Sequence, residues 1–177
     1  PRIPGHELSG VIEAAGAEVP PPWRPGLPVT CSPYSACGRC AACRAARPNA
    51  CRENQTLGVQ RDGALCEWLA LPWRKLYTSS SLSLDALALV EPFSVGFHAA
   101  ARGRVVAGET VLVLGCGTIG LGAVAGAASR GARVLGADLD DDKLALARRL
   151  GAQITIHSGR EDLDGVVPLL HHRRQLL

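Results

Sequence analysis

Apolar positions are distributed differently in the two halves of this chain. In the second half, Val111 to Leu114 (VLVL) is an unbroken apolar run of strand length, followed by Gly115, Gly117 and Gly120 and then by an alanine-rich stretch. A short continuous run bounded by glycines predicts a buried strand, and the small residues after it predict a helix. Ala132 to Ala137 (ARVLGA) predicts a second strand and Gln153 to His157 a third. Between them, DLDDDKLALARRLGA has acids at its start, arginines near its end and Gly151 as a stop, the signature of a helix. This alternation predicts an α/β unit with a parallel sheet. SGREDLDGVVPLL is expected to form one further helix, and HHRRQLL has no pattern, so His171 and His172 are expected in a solvated tail.

Patterning is weaker in the first half. LSGVIEAAG reads as strand-like, and ALCEWLAL alternates as a strand does, which places Cys66 as a small buried side chain. EPFSVGFHAA reads as a helix opening at Glu91–Pro92, and His6–Glu7 follows Pro4–Gly5. Between these segments CGRCAACRAARPNAC places Cys37, Cys40, Cys43 and Cys51 within one short loop, whereas Cys31, Cys66 and Cys116 stand apart. A disulfide across a two-residue gap is strained. Four thiolates on one loop suit the tetrahedral shell of a structural zinc; an iron–sulfur cluster, disulfides or free thiols are the other readings. Arg39, Arg44 and Arg47 interleave with the thiols and are expected to soften their charge. The spacing is too compact for a two-knuckle zinc ribbon that grips nucleic acid.

Composition narrows the picture. With 177 residues, 47% hydrophobic and 20% charged, the chain has enough apolar material for one large domain or two small ones. A net charge of +3 with scattered arginines gives no polyanion-binding stripe, so no nucleic-acid partner is expected. Val111 to Ser129 carries no charge and is long enough to span a bilayer, but Gly115, Gly117, Gly120 and Gly122 argue against a membrane helix. No secretory signal is visible, and a cytoplasmic location is expected. The sequence has no methionine and opens on PRIPGHE, which reads as the inside of a motif, so an internal fragment is expected.

The glycine pattern carries specific chemistry. Gly115, Gly117 and Gly120 have G-x-G-x-x-G spacing after a strand and before a helix, and Asp138 ends the next strand about 20 residues on, where a ribose-binding acid belongs. The helix N-terminus offers amides to a pyrophosphate. The Asp138 carboxylate would accept from both ribose hydroxyls and repel a 2′-phosphate, which favours NAD over NADP. Asp140 to Asp142 read as first-turn acids of the following helix.

Taken in order, GHELSGVIEAAG, the C-x-x-C-x-x-C-x7-C lobe, EPFSVGFHAA and VLVLGCGTIGL resemble the zinc-dependent medium-chain alcohol dehydrogenases, in particular the threonine, sorbitol and galactonate-type dehydrogenases. The resemblance runs from Pro1 to about His157. It implies a partial GroES-like β-rich catalytic domain over 1–90 with its zinc lobe at 37–51, then a truncated Rossmann domain, a doubly wound parallel sheet, over 91–177. It also implies that His6, Glu7 and Glu91 are catalytic residues at a catalytic zinc, with His6 a ligand and the third ligand either Glu7 or Glu91, that Cys37, Cys40, Cys43 and Cys51 hold a structural zinc, and that Ile119, Asp138 and Lys143 touch NAD. Zinc in an open-sided site would act as a Lewis acid on a substrate hydroxyl while NAD takes the hydride. The implied function is hydride transfer from a secondary alcohol, such as a polyol or sugar acid, to NAD, in a homodimer or homotetramer. The alternative is a non-catalytic remnant that keeps structural zinc and partial nucleotide binding.

Two departures from the family pattern bear on activity. The family's first zinc ligand, a cysteine followed by a hydroxyl residue, precedes its G-H-E and is not in this sequence, and Gly26-Leu27-Pro28-Val29 replaces a common Gly-Asp-Arg-Val. The 177-residue chain alone is therefore expected to retain about one zinc and to form no NADH from polyols or sugar acids.

Overall fold

The computed structural model describes residues 1–162, Gly165 and Arg174–Leu176. The chain divides into two compact units, Pro1–Glu91 and Pro92–Leu177.

Short elements and long connections make up the first unit. Strands β1 (Gly10–Val11), β2 (Pro28–Cys31) and, later in the chain, β3 (Leu76–Tyr77) form an antiparallel sheet in the order β1-β2-β3. Gly10 pairs with Val29 and Val11 with Pro28, while Thr30 pairs with Tyr77 and Cys31 with Leu76. LSGVIEAAG thus gives a strand of only two residues. The chain beyond it carries Pro20, Pro21, Pro22 and Pro25, which have no N–H to extend a ladder. Between β2 and β3 lies the cysteine lobe, with a one-turn helix α1 (Ala41–Arg44) and a 3-10 turn at Pro48–Ala50. Helix α2 (Leu84–Ala88) is capped by Ser83, whose side chain accepts from the Ala86 N–H at 3.2 Å.

ALCEWLAL is not a strand, and Cys66 is exposed rather than buried. The backbone of Ala64 and Leu65 pairs with Gly5 and Pro4, but the Cys66 N–H turns back to the Ala64 carbonyl at 2.8 Å. That bend ends the pairing before the alternation can be used.

In the second unit the periodicities become regular structure. Helix α3 (Val90–Arg102), most of which lies in this unit, is followed by β4 (Thr110–Leu114), α4 (Thr118–Ala128), β5 (Arg133–Asp138), α5 (Asp141–Arg149) and β6 (Ala152–His157). With β7 (Arg174–Leu176) they make a parallel sheet in the order β6-β5-β4-β7. Val111, Val113 and Val134 bury one face against Ala123, Val124 and Ala127 of α4 and Leu144 and Ala147 of α5. Leu112, Leu135, Ala137 and Ile156 form the core of the other face. Each such Val or Leu contributes about 1.5–3 kcal/mol on burial. The expected helix at SGREDLDGVVPLL begins instead as a turn over 158–160, because the Arg160 and Glu161 N–H groups both bond the His157 carbonyl. The remainder of that segment, and His171 and His172, lie outside the described residues. Among the described residues no helix is long and apolar enough to cross a membrane.

Candidate metal centres and dinucleotide turn

The sulfurs of Cys37, Cys40, Cys43 and Cys51 all lie within 4.8 Å of one another. The Cys40 and Cys43 Sγ atoms are 3.5 Å apart, and a tetrahedral zinc with bonds of about 2.3 Å needs sulfurs about 3.8 Å apart, so the residues fit that ion. The lobe folds this way because α1 turns the chain between Cys40 and Cys43, and the Pro48–Ala50 turn returns it to Cys51. The Cys51 sulfur accepts from the Cys37 N–H at 3.2 Å and the Glu53 N–H at 3.3 Å.

Backbone amides dominate the electrostatics of the lobe. The N–H groups of Cys43 and Arg52 draw the Cys40 thiol down to about 6, and those of Arg39 and Cys40 lower Cys37. Desolvation and hydrogen bonds to Cys40 and Cys51 push Cys43 up to about 12. Two of the interleaved arginines turn elsewhere: Arg39 pairs with Glu53 at 2.8 Å, and Arg44 donates to the Arg39 carbonyl. The Cys37 and Cys40 thiols are thus lowered chiefly by main-chain N–H groups.

A second cluster brings together residues up to 85 positions apart. One ligand atom each from His6, Glu7 and Glu91 lies within 4.8 Å of the others. His6 and Glu7 are held from both sides. Gly63 donates to the Ile3 carbonyl at 2.7 Å, and Ala64 and Leu65 donate to Gly5 and Pro4; on the other side, the Thr30 hydroxyl donates to the Leu8 carbonyl at 2.7 Å. A Cβ at position 63 would sit 2.3 Å from the Gly5 carbonyl oxygen, so this close approach requires glycine. Glu91, only 8% exposed, stands in the first turn of α3, where the helix dipole favours an acid. One imidazole and two carboxylates fit a zinc with an open fourth position. The Tyr34 hydroxyl, which carried no signal in the sequence, donates to Glu91 Oε1 at 2.5 Å. That bond, with burial, pushes the Tyr34 hydroxyl up to about 12.

At the C-terminal ends of β4 and β5 the glycine turn has the form its spacing predicts. Gly115 adopts φ +86, and its N–H donates to the Ala137 carbonyl at 2.8 Å. A Cβ on Gly120 would lie 1.8 Å from the Gly115 carbonyl oxygen, whereas one on Gly117 would meet nothing within 4 Å. Gly120 is thus required by packing, and Gly117 faces open space that a Cβ would partly fill, as a phosphate cradle needs. Asp138 Oδ2 accepts from the Cys116 N–H at 2.7 Å, and Oδ1 accepts from Leu139 and Asp140. These bonds, led by that of Cys116, hold its carboxyl below the usual range and tie the glycine turn to β5. Lys143 Nζ lies 3.9 Å from Asp138, and Ile119 is exposed in the first turn of α4. Asp140, expected as a first-turn acid, is the N-cap of α5 and accepts from the N–H groups of Asp142 and Lys143.

Comparison with known proteins gives the family. Residues 1–81 match the alcohol dehydrogenase GroES-like domain. The chain is 40% identical to L-galactonate-5-dehydrogenase of Escherichia coli K12 over 138 residues, 78% of the chain and 40% of that protein. It is 39% identical to L-threonine 3-dehydrogenase of Anaeromyxobacter dehalogenans over 175 residues, 98% of the chain and 50% of that protein. The crystal structure of galactitol-1-phosphate dehydrogenase from Escherichia coli superposes with a TM-score of 0.86 at 30% identity, covering 99% of this chain and 52% of that one. The chain therefore spans about half the length of the relatives it matches.

Proposed function

Because the chain belongs to the zinc-dependent medium-chain alcohol dehydrogenase family, we propose that its site residues serve NAD-dependent oxidation of a secondary alcohol on a small polar molecule, a polyol or sugar acid, with no turnover expected of the 177 residues alone. The observation that carries this reading is the His6–Glu7–Glu91 cluster, three ligand-bearing side chains from distant segments gathered within 4.8 Å. Bound zinc would supply Lewis acidity toward the substrate hydroxyl, and bound NAD would accept the hydride. The named relatives act, by their names, on L-galactonate and L-threonine, both small hydroxyl-bearing acids.

Each residue then has its own task. His6 offers a ring nitrogen and Glu7 and Glu91 carboxylate oxygens to the catalytic metal, leaving one position open. Cys37, Cys40, Cys43 and Cys51 hold a second zinc that shapes the lobe. Gly117 leaves room for the pyrophosphate and the first turn of α4 supplies N–H groups to it. Asp138 receives the ribose hydroxyls with lone pairs that Cys116, Leu139 and Asp140 leave free, while Ile119 and Lys143 border the same site.

Metal analysis and NADH binding test the reading together. One zinc is expected to copurify with the lobe and to be lost in Cys40→Ser. A second is expected to bind when supplied and to be lost in His6→Ala. NADH is expected to bind more tightly than NADPH, with the preference eroded in Asp138→Ser. Unchanged metal binding in His6→Ala would remove the catalytic centre, and an unchanged NADH/NADPH ratio would remove Asp138 from cofactor choice.

A further inference from the structure

We propose that Tyr34 is a positioning residue for the His6–Glu7–Glu91 centre, its hydroxyl fixing one carboxylate oxygen of Glu91 so that the other is presented to the metal. The inference rests on the reading of that cluster as a metal site. The hydrogen bond is short, 2.5 Å between Tyr34 Oη and Glu91 Oε1, as expected for a hydroxyl donating to a carboxylate. A glutamate has three side-chain torsions to order, and a bond to one oxygen removes most of that freedom. It also disfavours bidentate binding by Glu91, which would use the position a substrate oxygen needs.

The ring that delivers this hydroxyl stands on a fixed base. Lys75 Nζ donates to the Tyr34 carbonyl and to the Ser35 hydroxyl. Ser35 and Gln55 exchange two backbone hydrogen bonds, of 3.1 and 2.8 Å, and the Leu57 N–H donates to the Pro33 carbonyl at 3.1 Å. These bonds clamp the chain on either side of the cysteine lobe, whose first ligand, Cys37, is three residues from Tyr34. The clamp that closes the lobe therefore also aims the tyrosine. Partners of metal ligands commonly change affinity by about 10–100-fold when removed.

The test is a Co2+ titration of the 177-residue chain with zinc already in the lobe, followed by visible absorption. Tyr34→Phe is expected to weaken cobalt binding about 10–100-fold and to shift the ligand-field bands, with the melting temperature nearly unchanged. In a Glu91→Ala background the same substitution is expected to have no further effect. Equal affinity and spectrum in parent and Tyr34→Phe overturn the positioning role while leaving the metal site standing. Equal weakening in the Glu91→Ala background overturns it also, since the tyrosine would then act through the fold. Cobalt binding that survives His6→Ala in the parent removes the metal site itself, and the role of Tyr34 with it.

Discussion

The two units reach order by different physics. Of the buried apolar residues described, only Val29, Cys31, Pro33, Cys51, Leu57 and Leu87 belong to the first unit, and both core clusters lie in the second. Helix α1 and the Pro48–Ala50 turn bury none of their own residues. The second unit is held by a parallel sheet with apolar side chains on both faces, the first by backbone clamps and by what four thiolates can bind. A core tolerates the loss of one contact, but a metal lobe has one organising centre. That contrast predicts where each half is vulnerable.

The largest effect is expected from metal removal. Structural zinc contributes on the order of 10–16 kcal/mol to zinc-finger folds, and the lobe has no apolar core to replace it. Chelation, or Cys40→Ser, is expected to abolish amide-exchange protection over Cys37–Glu53 while Val111–Leu114 and Val134–Ala137 stay protected. Simultaneous loss in both regions would break the comparison.

Next in size are two glycine substitutions that separate packing from binding. Gly120→Ala places a Cβ against the Gly115 carbonyl oxygen, only 1.8 Å away, and is expected to cost more than the roughly 1–3 kcal/mol of ordinary overpacking. Gly117→Ala meets no protein atom within 4 Å, so its melting temperature is expected to stay within a few degrees while NADH affinity falls. The ratio of these two effects, read by thermal unfolding and NADH fluorescence, sharpens the assignment of Gly117 to the ligand.

A smaller effect concerns acid. The Cys116 N–H holds the Asp138 carboxyl below its usual range, so its folded-state pKa is depressed. The stability it brings is fully present above the unfolded carboxylate value and is lost as pH falls through the lower folded value. Asp138→Asn is expected to flatten the acid limb of the second unit's stability curve and to leave neutral-pH packing of β5 intact.

Legibility in the sequence followed the same division. Strand β4, the glycine turn and helix α5 were readable because local periodicity and the final structure agree. The thiol cluster was readable because its ligands are close in sequence. What stayed hidden depends on distant pairing. Tyr34 meets Glu91 across 57 positions, and the carboxylate of Asp138 accepts from the Cys116 N–H across 22. Cys66 misled because alternation signals a strand only if a partner continues the ladder, and its own N–H turns back to Ala64.

The smallest effect, and the one that resolves all seven cysteines, is thiol alkylation near pH 8. Cys66 is exposed, its sulfur 3.2 Å from the Trp68 carbonyl oxygen, and is open to a reagent. Cys31 and Cys116 are buried, and burial raises both thiols, Cys116 to about 11. At pH 8 a thiol of that pKa is ionised to about one part in a thousand, so burial and protonation both slow its reaction. The four lobe sulfurs are covered when they hold zinc. Iodoacetamide is therefore expected to add one label to the zinc-loaded chain, absent in Cys66→Ser, and four more after chelation. Cys31 and Cys116 are expected to react only in denaturant. Labelling of Cys116 ahead of the lobe cysteines would mean that the glycine turn opens more readily than the metal lobe, reversing the order of stability that separates the two units.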